Sequence, residues 1–441
     1  MAHLHSLQIH RYRSTVPTGR LEFNRHHNVL LGLNGSGKST FLDLLWRLPA
    51  DDLRELVLEP LDIEYEIQSA TSNARFHVRL SSPTDTGTPP RPALPTKLGQ
   101  LAMEAGATAD VTYVDGDFRH RMTWDGEWLR QEQGESKILQ SGPFDGTLLS
   151  SCLAGAGERL EADSGLARRA FNFFLEIFGT RMGEIRRFAE DASPFYRIVE
   201  SRVGEGFSLR FDLRQEEDGT VKPAQTLPYG SLCPPTIYQA VIERAVGAPQ
   251  PPDSCYVDLV KAGVLSMEAL EALGFAEAHA RITLTAVRPK SGSKRAEYDK
   301  CDFVLRRSNG DVVSSVGLSF GQRRFLALHF LAAVDLTGPL FIDEMANGLH
   351  YRLLDETLVR LDGRQTFMTS QNPLLLDTLL VDTPEDLQRM FLVTGQDSLL
   401  SDESTMFHIR QLDHAEAVSI FEAKQAGFRT LSSILRSLAL W

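Results

Sequence analysis

Between Gly32 and Ser39 the chain reads GLNGSGKS, a complete G-x-x-x-x-G-K-[ST] string. A short apolar run, Asn28–Leu31, leads into it. An apolar-periodic stretch, Ser39–Leu48, leaves it and is closed by Pro49. Strand, glycine loop and helix, in that order, are what a phosphate cradle requires. Gly32, Gly35 and Gly37 let backbone N–H groups turn inward around phosphate oxygens. The helix that begins near Lys38 adds its positive N-terminal end. Asn34, Ser36 and Thr40 complete the lining of the loop. Lys38 is expected to reach the β- and γ-phosphates of ATP, and Ser39 to hold Mg²⁺. The competing reading is a chance glycine-rich turn, against which the flanking strand and helix both argue.

Two more strings lie far downstream. Leu340–Glu344, LFIDE, is an apolar strand that ends in two acids. It predicts Asp343 beside Mg²⁺ and Glu344 placed to activate the attacking water. Alone, such a pair is commonly a solvated strand end; the phosphate loop upstream weighs against that. Leu318–Gln322, LSFGQ, comes just before it. Short Ser/Gly strings are frequent, so position decides. This one opens a helix predicted over Ser319–Leu336, with Ser319 as N-cap, so Ser319, the Gly321 amide and Gln322 form a second anion site. With one copy of each string, one polypeptide holds two halves of different sites. The Ser319 end is expected to close over the γ-phosphate held by a second copy, giving a homo-oligomer built on an ATP sandwich.

The chain has 441 residues, enough for two or three units or one large domain with an insertion. Its net charge of −12 excludes DNA binding through the overall field, so a nucleic-acid contact needs a local basic patch. The basic clusters available are Arg181/Arg186/Arg187 and Arg288/Lys290/Lys294/Arg295/Lys300, and the ordinary meaning of such clusters is a solvated face. Cys152, Cys233, Cys255 and Cys301 are scattered and read as reduced thiols rather than a zinc or disulfide framework. No apolar run reaches membrane-spanning length and MAHLHSLQIHRYRS lacks a signal-peptide core, so no membrane contact and a cytoplasmic location are expected.

Along the chain, 1–150 reads as the first part of the nucleotide-binding head, with an antiparallel sheet at Leu61–Ser69, Ala74–Leu80, Asp110–Val114 and His120–Trp124. Ser81–Pro95, with five prolines, is a loop. Residues 151–280 read as a mainly helical insertion, with helices at Gly165–Ala189, Pro235–Val246, Tyr256–Ala262 and Ser266–Ala280. Residues 281–441 return to the head: strands at Arg281–Val287, Asp302–Arg306, Pro339–Asp343, Gln365–Thr369 and Arg389–Val393, then a closing helix at Ala415–Leu438. Apolar strands alternating with helices predict a parallel, doubly wound core.

Gly32–Thr40, Leu318–Gln322, Leu340–Glu344 and EMANGLH at Glu344–His350 resemble the ABC-type ATPases of the RecF/SMC/OLD class, as does the opening LQIHRYRS…NVLLGLNGSGKSTFLD. The resemblance covers about the first fifty residues and everything after Leu318. It implies an α/β P-loop ABC-type ATPase head with an antiparallel β subdomain and a helical insertion. Met345–His350 is then the loop facing the partner lobe, with Asn347 its polar contact; the alternative is a plain turn. The class has a histidine in a string like T-T-H-S-P, where TSQNP at Thr369–Pro373 puts Gln371. A glutamine amide donates to a γ-phosphate but takes up no charge, which implies slow hydrolysis or ATP used as an assembly clamp. Equally, Gln371 simply precedes a helix capped by Asn372 with Pro373 in its first turn. The Mg²⁺-sensing glutamine of the class has Gln140 as its candidate here, against a plain surface glutamine. Arg11 and Arg13 are candidates for phosphate or ribose contact, or else exposed edge-strand residues. Stand-alone members of the class resemble sensor subunits of bacterial anti-phage systems that act with a separate effector. The alternatives are a RecF-like DNA-repair ATPase that clamps DNA and an ATP-dependent assembly scaffold.

Overall fold

The apolar runs alternate between two cores. In the computed structural model, residues 2–50, 56–83, 106–125, 128–133, 135–141, 149, 152, 187–188, 209–215, 221–223, 234–246, 251–290, 293–333, 339–398 and 405–441 are described. The first sheet is antiparallel and runs β2-β1-β4-β5-β6-β7-β8-β9. Its strands are β1 (His3–Tyr12), β2 (Leu21–Glu22), β4 (Leu61–Gln68), β5 (Arg75–Ser82), β6 (Thr108–Asp115), β7 (Phe118–Trp124), β8 (Trp128–Gln133) and β9 (Glu135–Ser141). Alternation is strict on β5, where Phe76, Val78 and Leu80 are buried and Arg75 and Arg79 exposed. Period two with one wet face is the mark of an antiparallel sheet packed on one side.

The second sheet runs β10-β17-β18-β3-β19-β20. Here β3 is His27–Leu31, β10 Arg187–Phe188, β17 Leu340–Ile342, β18 Thr366–Thr369, β19 Phe391–Ser398 and β20 Thr405–Gln411. All pairings are parallel except β19 with β20. Successive residues of its central strands feed opposite cores. Val29, Leu31, Ile342, Met368 and Val393 join one cluster; Leu30, Phe341, Phe367 and Leu392 join the other. Burial on both faces is why these strands are uninterrupted apolar runs in the sequence. The first sheet and helix α1 (Lys38–Ala50) cover one face.

The other face is covered by helices α4 (Phe320–Ala333), α5 (Tyr351–Leu361), α6 (Pro373–Thr378), α7 (Pro384–Met390), α8 (His414–Gln425) and α9 (Leu431–Ser437), together with the third sheet. That sheet runs β12-β11-β15-β14-β13, with β16 on β15. Its strands are β11 (Leu209–Gln215), β12 (Val221–Pro223), β13 (Ser254–Asp258), β14 (Glu277–Lys290), β15 (Ser293–Arg306) and β16 (Val312–Ser314). Helices α2 (Pro235–Val246) and α3 (Met267–Leu273) pack beside it.

Several elements differ from the sequence reading. Tyr256–Ala262 is not a helix: Ser254–Asp258 is a strand, with Cys255 and Val257 buried and Tyr256 exposed in period two. The helix expected over Ser266–Ala280 stops at Leu273, because Gly274 turns left-handed at φ 81° and returns its N–H to Glu271 and Leu270. Residues from Glu277 onward form β14 instead. The closing helix is two helices, broken at Gly427 (φ 74°) and restarted by Thr430, whose side chain accepts from Ser433 N. β10 stands at Arg187–Phe188, where the sequence reads as the end of a helix. The rest of the helix expected over Gly165–Ala189, and most of the proline-rich loop, lie outside the described residues, as does Cys233. Cys152, Cys255 and Cys301 are buried free thiols. Among the described residues no helix is long and apolar enough to cross a membrane.

Candidate functional site

β3, β18 and β17 lie side by side and parallel, so the segments that leave them emerge at one edge of the sheet. Open α/β sheets bind ligands at that carboxyl edge. The glycine loop leaves β3, the Asp343–Glu344 pair leaves β17, and Ser370–Asn372 leaves β18.

The loop is shaped by close contacts that only glycine permits at two positions. At Gly32 (φ 145°) an added Cβ would lie 2.3 Å from Thr394 O and 2.6 Å from Ser36 Oγ. At Gly37 (φ 88°) it would lie 3.0 Å from the Phe407 ring on β20. Thr394 Oγ1 donates to Leu31 O at 2.9 Å and shares a 2.6 Å hydrogen bond with Ser36 Oγ, so β19 holds the loop from behind. Asn34 and Gly35 are exposed at its tip, while Ser36 and Lys38 are buried. Lys38 Nζ folds back over the cradle, donating to Gly32 O at 2.8 Å and Leu33 O at 3.0 Å. An ammonium group held by two carbonyls of the loop is placed to exchange them for phosphate oxygens. Ser39 and Thr40 occupy the first turn of α1.

The acids are held from three sides. Thr369 Oγ1 donates to Asp343 Oδ1 and accepts from Glu344 N at 2.8 Å. Gln371 N donates to Glu344 Oε2 at 3.1 Å. Arg324, 0% exposed, donates through Nη2 to the carbonyls of Asp343 (2.9 Å) and Glu344 (2.6 Å). Glu344 has φ 51°, a left-handed backbone that costs a non-glycine residue about 1–2 kcal/mol. Such a conformation persists where neighbours over-determine it, and these bonds do so. Burial pushes the Arg324 guanidinium down to about 10, although Glu344 and Asp343 pull it upward. Arg324 was not legible as a site residue; the signal was a second arginine inside an otherwise apolar helix segment.

Arg324 lies on α4, the helix that Ser319 starts. Ser319 Oγ accepts from Gln322 N (3.2 Å) and Gln322 Oε1 accepts from Ser319 N (3.0 Å), a capping box. Gln322 Nε2 also donates to Leu273 O at 3.1 Å. A Cβ at Gly321 would lie 2.0 Å from Gly348 O, and one at Gly348 (φ 75°) 2.3 Å from the Phe320 ring. The helix start and the Met345–His350 loop are therefore packed backbone to backbone. Asn347 and Ser319 are both exposed. One rigid unit thus carries Ser319, Asn347 and, through Arg324, the acid pair.

Other candidates stand apart. Gln140 is on β9, the strand at the far edge of the first sheet, paired with Leu129. Arg13 makes a two-pronged ion pair with Glu59 (2.6 and 2.8 Å), and Arg11 donates to Ser82 O at 2.8 Å. Both arginines therefore serve the first sheet, and the phosphate or ribose contact considered for them has no support in these bonds. Asn372 does cap α6, accepting from Leu374 N at 3.0 Å, with Pro373 in the first turn. Gln371 thus precedes that capped helix start, and its backbone N–H faces Glu344.

Residues 274–377 match a family model described as "AAA domain, putative AbiEii toxin, Type IV TA system". Among curated proteins none matches the sequence. Similar solved structures include the SMC head domain from Thermotoga maritima, with 12% identity, TM-score 0.36, and coverage of 93% of this chain and 99% of that one. Another is an SmcHead bound to the C-winged helix domain of ScpA, with 13% identity, TM-score 0.38, and coverage of 94% and 99%. A third is the Smc head domain with an extended coiled coil bound to the C-terminal domain of ScpA, from Pyrococcus furiosus, with 14% identity, TM-score 0.34, and coverage of 96% and 100%. The glycine loop, Ser370–Asn372 and the acid pair thus leave three adjacent parallel strands of a mixed α/β P-loop fold.

Proposed function

We propose that the chain binds ATP with Mg²⁺ and hydrolyses it between two copies of itself. The observation that carries this is the common edge of β3, β18 and β17, which collects Lys38, Asp343, Glu344 and Gln371. Gly32–Thr40 would cradle the phosphates, and Ser39 and Asp343 would hold Mg²⁺. The metal would supply charge neutralisation along the phosphates. Glu344, with its carboxylate fixed by Gln371 N, would accept a proton from the attacking water. Gln371 would donate to the γ-phosphate without taking up charge, and turnover is accordingly slow. Ser319, Gly321 and Gln322 would cap the nucleotide held by the partner copy, with Asn347 touching the partner lobe. The exposure of Ser319 and Asn347 on one packed unit supports that division of labour.

The biological reading is a cytoplasmic sensor or regulatory subunit that acts with a separate effector, in bacterial anti-phage defence. The toxin–antitoxin description of the family matched at residues 274–377 favours it. A second reading, a RecF-like ATPase that clamps DNA, draws on β14 and β15, whose register sets Arg288 opposite Arg295 and Lys294 opposite Pro289. A third, an ATP-built scaffold, predicts that Glu344→Gln leaves the phenotype intact. The deciding experiment is purification of the Glu344→Gln chain from its native operon with ATP, followed by mass measurement. Two copies with a bound effector protein support the proposal. A 49.1 kDa monomer with ATP bound sinks it, and salt-sensitive nucleic acid in place of an effector moves the role to the DNA clamp.

A further inference from the structure

The amide that holds Glu344 has a second attachment, on the other side of the same peptide. Gln371 N donates to Glu344 Oε2 at 3.1 Å. The carbonyl joined to that N–H in one planar unit belongs to Ser370, and it accepts from Trp441 Nε1 at 3.2 Å. A planar amide held at its oxygen has the direction of its N–H fixed as well. Donation to the oxygen also polarises the N–H and strengthens the bond it gives. Indole, peptide and carboxylate therefore form one hydrogen-bonded line: Trp441 N–H, the 370–371 peptide, Glu344.

The indole is itself anchored. The Arg436 guanidinium lies 5.0 Å from its ring centre. Helix α9, just before it, is tied to α6 by Asp377, which accepts from Ser432 N (2.9 Å) and Ser432 Oγ (2.8 Å). α6 is the helix that Ser370–Asn372 leads into. Its start is fixed by Asn372, whose own N–H donates to Ser370 Oγ at 3.0 Å. Both ends of the α9–Trp441 segment thus grip Ser370 and the helix α6 that follows it. The ring is partly buried and also packs against the core on that face of the second sheet.

We propose that Trp441 is a positioning residue for hydrolysis: through the 370–371 peptide it sets the place of the Glu344 carboxylate, with Ser432–Asp377 as its rear anchor. This rests on the reading of Glu344 as the base, and the test separates the two. Steady-state ATP hydrolysis is measured with Mg²⁺ on the full chain and on Glu344→Gln, Trp441→Phe, Ser432→Ala and the Trp441→Phe/Ser432→Ala double variant. Phe keeps an aromatic ring at this position and loses the donor together with part of the indole's bulk, which thermal melting reads separately. Trp441→Phe should lower kcat about three- to tenfold, the loss of one hydrogen bond, with KM for ATP held within about twofold. Ser432→Ala should act in the same direction, and the double variant should be no worse than the worse single one, because both break one line. If Glu344→Gln hydrolyses at the native rate, the reading of the base has failed. If Glu344→Gln is dead while Trp441→Phe keeps native kcat, or loses only thermal stability, or raises KM in step, the positioning role is overturned. Additive losses in the double variant would likewise overturn the strap.

Discussion

Replacing Arg324 separates what holds the acid pair from what holds the fold. Its guanidinium is fully buried and donates to two carbonyls, those of Asp343 and Glu344. Charge-assisted bonds of this kind contribute about 1.5–3 kcal/mol each, so about 3–6 kcal/mol together. Against that stands the desolvation that drives the group down to about 10, a cost of about 3 kcal/mol. An apolar side chain of similar length, Arg324→Met, removes both terms, and the net loss of stability comes to about 0–3 kcal/mol. Turnover should respond differently. Glu344 sits at φ 51° because its backbone is pinned, and without Arg324 the strained backbone relaxes and the carboxylate leaves its place. The expected outcome is a fall in kcat of at least about tenfold with ATP affinity nearly unchanged, since Lys38 and the glycine loop are untouched. Phosphate release, equilibrium nucleotide binding and thermal melting together read the three quantities. Arg324→Lys should rescue poorly, because an ammonium point charge does not span two carbonyls as a planar fork does. Turnover of Arg324→Met within twofold of native would refute the reasoning.

Gly321→Ala pushes a methyl to 2.0 Å from Gly348 O, so the Ser319 helix start must separate from the Asn347 loop; nucleotide binding should survive while ATP-dependent pairing weakens by light scattering, and undiminished pairing would contradict the packed unit. Gly32→Ala meets Thr394 O at 2.3 Å and should abolish nucleotide binding in a filter assay. Gln371→His introduces a group able to take up charge at the switch and should raise kcat several-fold, whereas lower turnover would mean that Gln371 is already matched to its site. Burial lowers His3 and His27 to about 4 and His329 to about 3. These imidazoles stay neutral in the folded chain while the unfolded chain protonates near 6.5. Stability is therefore lost as pH falls below about 6.5, by about 2 kcal/mol for each at pH 5 as an upper figure. Melting temperature against pH should show that slope, and His329→Leu should flatten it.

The second sheet was legible because it is simple. Its strands are buried on both faces, so Asn28–Leu31 and Leu340–Ile342 read as apolar runs, and each ends in a chemically distinctive string. Ser319 was legible as a cap because it stands at the start of an apolar helical stretch, and its side chain does accept from Gln322 N; the return bond, from Ser319 N to Gln322 Oε1, was not legible in the sequence. The third sheet was not legible over 254–280. Short alternating segments such as Ser254–Asp258 carry no longer signal than a helix turn, and the ladder with β14 over 279–283 decides between them. The supports of the site were hidden for a different reason. Thr394, Phe407, Arg324 and Trp441 act through register and burial, and nothing in their local sequence says that they face Ser36, Gly37, Glu344 and Ser370. β20, which brings Phe407 onto the glycine loop, had no turn signal strong enough to call.

Mixing two dead proteins tests the sandwich most directly. Lys38→Ala lacks the phosphate grip and Ser319→Arg lacks the cap, so each alone should fail to hydrolyse. In a mixed pair, the lysine of one copy and the serine of the other complete one site, and equal mixing should restore about a quarter of the native rate. A mixture no faster than its parents, or a Ser319→Arg chain that hydrolyses normally as a monomer, would show that each ATP is served by a single subunit.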